Sequence, residues 1–103
     1  MAEKTPISAS EATALVAGGA LLVDVRSLEG RTASGEFDDA TVVAKSDVAS
    51  FAETVPTDAE IVVFCGTTAG SGPIVDWLDE HGYSNVQHVE GGYAALAEAR
   101  EQS

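Results

Sequence analysis

Two continuous apolar runs constrain the fold of this chain more than any other feature of its sequence. The first covers residues 20–25 and is interrupted only by Asp24, and the second covers Ile61–Phe64. Runs of this kind, without alternating polar residues, are typical of strands that are buried on both faces of a parallel sheet. A chain of 103 residues is long enough to form one domain with a substantial core. We therefore predict a single domain over residues 1–103, with a parallel sheet at its centre.

Helix-like segments alternate with strand-like segments along the chain. Ser8 and Glu11 have capping-box spacing ahead of an apolar stripe, and Gly18–Gly19 marks the end of this first helix. The other predicted elements are strands at 5–7, 41–44 and 85–89, a loop at 27–39 with about one helical turn, and helices over 47–54, from about Ser71 to Gly82, and around Tyr93–Arg100. Repeated strand–helix–strand units predict an α/β fold of about five mainly parallel strands, with right-handed crossovers and helices on both faces.

The composition disfavours several classes of partner and site. The net charge of −12 argues against binding to nucleic acid or to anionic membrane surfaces. No apolar stretch approaches the roughly 18 residues of a membrane helix, and the first residues lack the apolar core of a signal peptide. One cysteine and two scattered histidines give no metal-site spacing, so we expect no metal and no cofactor. A single cysteine also fits a reducing compartment, and we expect a cytoplasmic protein that is a monomer or a weak dimer.

The single cysteine, Cys65, lies where the second apolar run ends and a glycine-rich turn begins. Ligands of parallel α/β sheets bind beyond the carboxyl ends of the strands, and Cys65 is predicted at such an end. Free backbone N–H groups and a helix N-terminus at this junction favour a thiolate over a thiol. The alternative is an inert, buried cysteine in an ordinary strand-to-helix turn. In that turn Ser71 or Gly72 would be the N-cap, with Pro73 in the first helical turn.

Several short segments of the chain match, in their order and spacing, the pattern of one protein family. The segments are Ser8–Ala12, Leu21–Arg26, Ile61–Cys65, Trp77–Leu78, His81–Tyr83, Asn85–Val86 and Glu90–Tyr93. On these segments, which extend over nearly its whole length, the chain resembles the single-domain rhodanese-like sulfurtransferases. The resemblance implies the rhodanese fold and an enzyme that passes a sulfur atom from thiosulfate or a persulfide donor to a thiol or cyanide acceptor.

The resemblance also implies roles for individual residues. Cys65 would attack the outer sulfur of a small donor, or of a persulfide-carrying protein, and would itself become a persulfide. Asp24 and Arg26 would be a supporting pair near the active-site side of the sheet. A cradle of inward-facing N–H groups and hydroxyls, with glycines that permit positive φ, would hold the substrate. The residues of this substrate-binding cradle would be Gly66, Thr67, Thr68, Ala69, Gly70 and Ser71.

The chain departs from the family pattern in two places. Many members carry a cation within the loop where this chain has Gly66 and Gly70, and residues 31–40 replace the usual Gly-His-Ile-Pro-Gly-Ala segment. A charge-assisted hydrogen bond is worth roughly 1.5–3 kcal/mol, so we expect weak use of thiosulfate. We expect Arg31 to be a solvated loop residue, not the missing cation.

Two functions other than an active sulfurtransferase need to be weighed. A binding or sulfur-relay module with the rhodanese fold, and with little or no turnover, is the alternative to an enzyme. A cysteine-dependent phosphatase is disfavoured, because Ser71 stands where the phosphatase loop carries the arginine that stabilises the transferred phosphoryl group.

Overall fold

Strands and helices alternate through the described part of the protein, which in this computed structural model comprises residues 5–66 and 68–101. In chain order the elements are α1 (Ala9–Ala17), β1 (Leu21–Asp24), α2 (Leu28–Ser34), β2 (Thr41–Val42), α3 (Val48–Ala52), β3 (Ile61–Phe64), α4 (Thr68–Glu80), β4 (Val86–His88) and α5 (Gly92–Glu101). A single 3₁₀ turn, Lys45–Asp47, precedes α3. No helix among the described residues is both long and apolar enough to cross a membrane.

The sheet has the order β2-β1-β3-β4, and every pair of neighbouring strands is parallel. The prediction of a parallel α/β sheet is therefore confirmed, but the described residues form four strands, not about five. The predicted strand at 5–7 is reduced to one bridge between Ile7 and Val89. Pro6 precedes Ile7 and has no N–H to donate, so the pairing does not extend toward the N-terminus.

Helices cover both faces of the sheet, as predicted. Side chains of consecutive strand residues point to opposite faces, so each buried strand contributes to two cores. One core joins Val23, Ile61, Val63 and Val86 of the strands, and Val25 directly after β1, to buried residues of α3 and α4. These include Val48, Val75 and Leu78. The other joins Leu22, Val62 and Phe64 to Ala12 of α1 and Leu96 of α5. Burial on both sides explains why β1 and β3 carry almost uninterrupted apolar sequence.

The segment 27–39 contains a longer helix than predicted. Helix α2 spans Leu28–Ser34, about two turns, and Ser27 caps it by accepting a hydrogen bond from the N–H of Gly30 at 3.1 Å. None of the residues of α2 is buried. The expectation of about one helical turn was wrong because an exposed helix has no reason to show apolar periodicity.

Helix α4 begins earlier than predicted. It starts at Thr68, so Ser71 and Gly72 are not N-caps, and Pro73 lies inside the helix instead of in its first turn. The two glycines and the proline in this region have low intrinsic helix propensity, which tertiary contacts override here. As a result the connection between β3 and α4 is short, and the first turn of α4 is brought close to Cys65.

Candidate active site

Cys65 directly follows β3 at the carboxyl edge of the sheet and is half-buried. The start of α5 holds its backbone in place, because the N–H of Tyr93 donates to the carbonyl oxygen of Cys65 at 2.8 Å. Gly92 makes this contact possible. Its φ is +66°, and a Cβ at this position would lie 2.5 Å from the Cys65 carbonyl oxygen and 2.8 Å from backbone atoms of Gly66. Only a glycine allows α5 to approach the Cys65–Gly66 peptide so closely.

Gly70 allows the first turn of α4 to approach the thiol. A Cβ on Gly70 would lie 2.6 Å from Sγ of Cys65, well inside any ordinary contact distance. Neither Gly66 nor Gly70 has positive φ. The expectation that these two glycines serve to invert the backbone was therefore wrong. Gly70 is required for space beside the sulfur.

The thiol faces a cavity of about 820 Å³. Of the predicted site residues, Cys65, Gly66, Gly70 and Arg26 line this cavity. Its wall also has an apolar part, which includes Tyr93 and two of the most exposed large hydrophobic side chains, Leu28 (68% exposed) and Val42 (44%). The cavity is far larger than an inorganic sulfur anion and lies within the roughly 300–1,000 Å³ typical of sites for small organic ligands.

Arg26 forms a buried ion pair with Asp24. Its backbone N–H and Nε donate to Oδ1 of Asp24 at 2.9 and 3.0 Å, and Nη2 donates to Oδ2 at 2.7 Å. Nη2 also donates to the carbonyl oxygen of Gly35 at 2.8 Å, and the guanidinium lies 4.2 Å from the centre of the Tyr93 ring. Nη1 is buried and has no hydrogen-bond partner among the described residues. The expected pairing of Asp24 and Arg26 is present; its supporting role at the active site stays a prediction.

Two further cations line the cavity. Arg31 is partly buried, with its side chain 18% exposed, and it donates from Nη1 to Oε1 of Glu36 at 3.3 Å. The expectation that Arg31 is solvated was therefore wrong. Lys45 belongs to the 3₁₀ turn after β2, and its Nζ lies 3.5 Å from the position a Cβ of Gly70 would take.

Lys45 is the cavity residue that sequence reasoning missed. The sequence predicted no cation in the loop after Cys65, and Arg31 was expected to be solvated. A usable signal was nevertheless present, because Lys45 follows a predicted strand closely. Residues that follow parallel strands meet at one edge of the sheet, so a residue after β2 lies near a residue after β3.

The remaining predicted site residues are placed differently. Ser71 is fully buried, does not line the cavity, and has its Oγ 3.0 Å from Nδ1 of His88, so this placement gives no support to its predicted contact with substrate. Thr68 and Ala69 form the first turn of α4, and their side chains, like the whole of Thr67, lie outside the described residues. Within the described ranges no three His, Cys, Asp or Glu residues are grouped as a metal site requires.

Comparison with known proteins identifies the family to which this chain belongs. The profile of the rhodanese-like domain matches residues 8–99. This chain belongs to the rhodanese-like domain family. A relative, thiosulfate sulfurtransferase GlpE of Pseudomonas entomophila (strain L48), is 34% identical over 93 residues, which cover 90% of this chain and 84% of the relative.

Solved rhodanese structures have the same fold. Human single-domain sulfurtransferase TSTD1 superposes with a TM-score of 0.74 at 25% identity, covering 90% of this chain and 95% of its own. Reduced CoADR-RHD of Bacillus anthracis gives a TM-score of 0.80 at 22% identity, covering 96% of this chain but 17% of the larger protein. The second likeness concerns the fold alone. It places this rhodanese-like chain beside a small part of a much longer polypeptide.

Proposed function

We propose that this protein is a sulfurtransferase in which Cys65 carries the transferred sulfur as a persulfide. The observation that carries the proposal is the position of the thiol, half-buried at the carboxyl end of β3 and open to a cavity. The charged side chains that line this cavity, among the described residues, are all cations. The names of two relatives support it, since GlpE of P. entomophila is a thiosulfate sulfurtransferase and human TSTD1 a sulfurtransferase.

The proposed reaction has two steps. In the first, the Cys65 thiolate attacks the outer sulfur of thiosulfate, a new S–S bond forms, the S–S bond of the donor breaks, and sulfite leaves with the bonding electron pair. In the second, cyanide or an acceptor thiolate attacks the outer sulfur of the Cys65 persulfide, and the Cys65 thiolate leaves. No electrons are gained or lost overall, so the cycle needs no redox cofactor.

The chain provides a favourable environment for an anionic persulfide. The first turn of α4 lies beside the sulfur, and the N-terminus of a helix of this length carries a partial positive charge. Gly70 leaves the space that a Cβ would otherwise fill next to Sγ. Arg26 and Lys45 contribute positive charge to the same cavity.

Intact-protein mass spectrometry after incubation with thiosulfate tests the proposal. The expected result is a mass gain of one sulfur atom, which cyanide then removes with release of thiocyanate. Because Cys65 is the only cysteine, Cys65→Ser should show no gain. The proposal fails if the wild-type protein takes up no sulfur from thiosulfate or from a small persulfide, or if Cys65→Ser is loaded equally well.

A sulfur-relay module is a second candidate, and the size of the cavity favours it. A space of about 820 Å³ suits the end of a persulfide-carrying partner or a thiol acceptor better than an inorganic anion. In that case Cys65 would accept one sulfur per protein molecule but release little thiocyanate over many cycles. Comparing the extent of single loading with the steady-state rate separates the two functions.

A further inference from the structure

We propose that Lys45 binds the negatively charged end of the sulfur donor and so supplies, from outside the loop, the cation that the loop after Cys65 lacks. This inference rests on the proposed sulfurtransferase function and adds to it the residue that selects an anionic donor. Lys45 comes from the turn after β2, a segment separate from β3 and α4.

The distance between Lys45 and the thiol is limited by Gly70, which lies next to both side chains. The point where Gly70 would carry a Cβ is 2.6 Å from Sγ of Cys65 and 3.5 Å from Nζ of Lys45. The ammonium and the sulfur are therefore separated by no more than the sum of these two distances. A donor whose outer sulfur touches Sγ would have its anionic oxygens within reach of the ammonium, because thiosulfate is only one S–S bond long.

The charges around the cavity single out Lys45. Among the described residues, three cationic side chains line it and no Asp or Glu does, although the protein as a whole carries a net charge of −12. Two of these cations are already paired, Arg26 with Asp24 and Arg31 with Glu36. Lys45 makes no ion pair within the described residues. Its ammonium is thus the uncompensated positive charge of the cavity.

The flexible stem of Lys45 fits this role better than a fixed guanidinium would. Lysine presents a compact ammonium with three donors on a four-carbon chain, so it follows an anion that changes place during the reaction. Thiosulfate binds as a dianion and leaves as sulfite, also a dianion, while one negative charge stays on the persulfide. A single mobile cation beside Gly70 neutralises part of the charge in both states.

Alkylation of Cys65 with two reagents of nearly equal size tests Lys45 without relying on sulfur transfer. Iodoacetate is an anion and iodoacetamide is neutral, and both form a thioether at the cysteine with loss of iodide. In the Lys45→Gln variant the ratio of the iodoacetate rate to the iodoacetamide rate should fall about three- to tenfold, since the partly exposed charge contact is weaker than a buried one. Raising the salt concentration should lower the wild-type ratio and leave that of Lys45→Gln almost constant.

Two matched variants control the alkylation experiment. Ser10→Glu changes the net charge by the same one unit on an exposed position of α1, away from the cavity wall, and should keep the wild-type ratio. Lys45→Arg restores the charge and should recover most of the ratio. Equal ratios for Lys45→Gln, Ser10→Glu and the wild type would overturn the role of Lys45, whatever the outcome of sulfur loading.

Sulfur loading provides the second measurement. Lys45→Gln should raise the KM for thiosulfate about three- to tenfold. If the wild-type protein takes up no sulfur but the alkylation ratio depends on Lys45, the sulfurtransferase function fails and the anion site stands. If loading occurs and its KM is unchanged in Lys45→Gln, the donor is held by another group and the inference about Lys45 fails.

Discussion

Replacement of Gly92 by alanine tests how firmly α5 holds the peptide that carries the reactive thiol. In the native protein the Cβ of an alanine at this position would lie 2.5 Å from the Cys65 carbonyl oxygen and 2.8 Å from the carbonyl carbon and oxygen of Gly66. These are backbone atoms, which no side-chain rotation moves away. We expect Gly92→Ala to fold, to be strongly destabilised and to displace Cys65.

The magnitude follows from three contributions. The left-handed backbone at φ +66° costs a non-glycine residue about 1–2 kcal/mol, and the lower entropy of the unfolded alanine chain offsets about 0.4–1 kcal/mol of this. Moving α5 away from Cys65 breaks the 2.8 Å bond from the Tyr93 N–H, worth about 1 kcal/mol. The same movement disturbs the packing of fully buried Leu96, at a cost typical of overpacking, about 1–3 kcal/mol. Together these give a loss of about 2–6 kcal/mol.

Urea denaturation of Gly92→Ala beside Gly19→Ala measures this loss. Gly19 also has positive φ, +116°, but a Cβ there would have no atom within 4 Å, so Gly19→Ala reports backbone strain alone. We expect Gly19→Ala to lose about 1 kcal/mol and Gly92→Ala at least about 2 kcal/mol more, with unchanged m-values. If Gly92→Ala were no less stable than Gly19→Ala, the close approach of α5 to Cys65 would be soft and our reasoning about the site would be refuted.

Three further predictions concern the same edge of the sheet. Gly70→Ala should keep its stability within about 1 kcal/mol, because alanine favours the helix, but should lower the rate of Cys65 alkylation at least tenfold by displacing Sγ; an unchanged rate would contradict the contact. Asp24→Ala leaves the Arg26 charge buried and should lower the free energy of unfolding by about 3–5 kcal/mol in urea denaturation, and a loss below about 1 kcal/mol would show that water replaces the carboxylate. Two hydrogen bonds from Arg100 hold the pKa of Asp39 below its usual 3.8, so this exposed pair should stabilise the fold by at most about 1 kcal/mol above that pH and less as the pH falls further. The difference in unfolding free energy between the wild type and Asp39→Asn should therefore be present at pH 7 and shrink at about pH 3, and a difference that grows with acid would reverse the assignment.

The buried strands were predictable because their environment leaves little choice of residue. Ile61–Phe64 is apolar at every position since alternate side chains enter two different cores, and the structure has β3 at the predicted bounds. Helix α1 was predictable for a related reason, because its cap is local: Ser8 accepts a hydrogen bond from the N–H of Glu11, three residues later.

Elements without a local signal were misjudged. Helix α2 has no buried residue, so its sequence has no apolar stripe, and only Ser27 marks its start. The beginning of α4 depends on the close approach of Gly70 to Cys65 across the turn, which no local sequence pattern reports. The same limit applies to Lys45, whose proximity to the thiol is a property of sheet order and not of any short motif.

The Arg26 side chain links three separate walls of the cavity. Its guanidinium is bonded to Asp24 at the end of β1 and to the carbonyl of Gly35, and it lies on the ring of Tyr93 at the start of α5. The frame of the cavity is therefore held from within by an ion pair, Arg26 with Asp24, in which both side chains are buried. Leu28 and Val42 at the rim take no part in this frame, and both side chains are exposed to solvent. Substrate preference at the rim is thus separable from stability, and libraries limited to these two positions should change which organic thiols are accepted without loosening the fold.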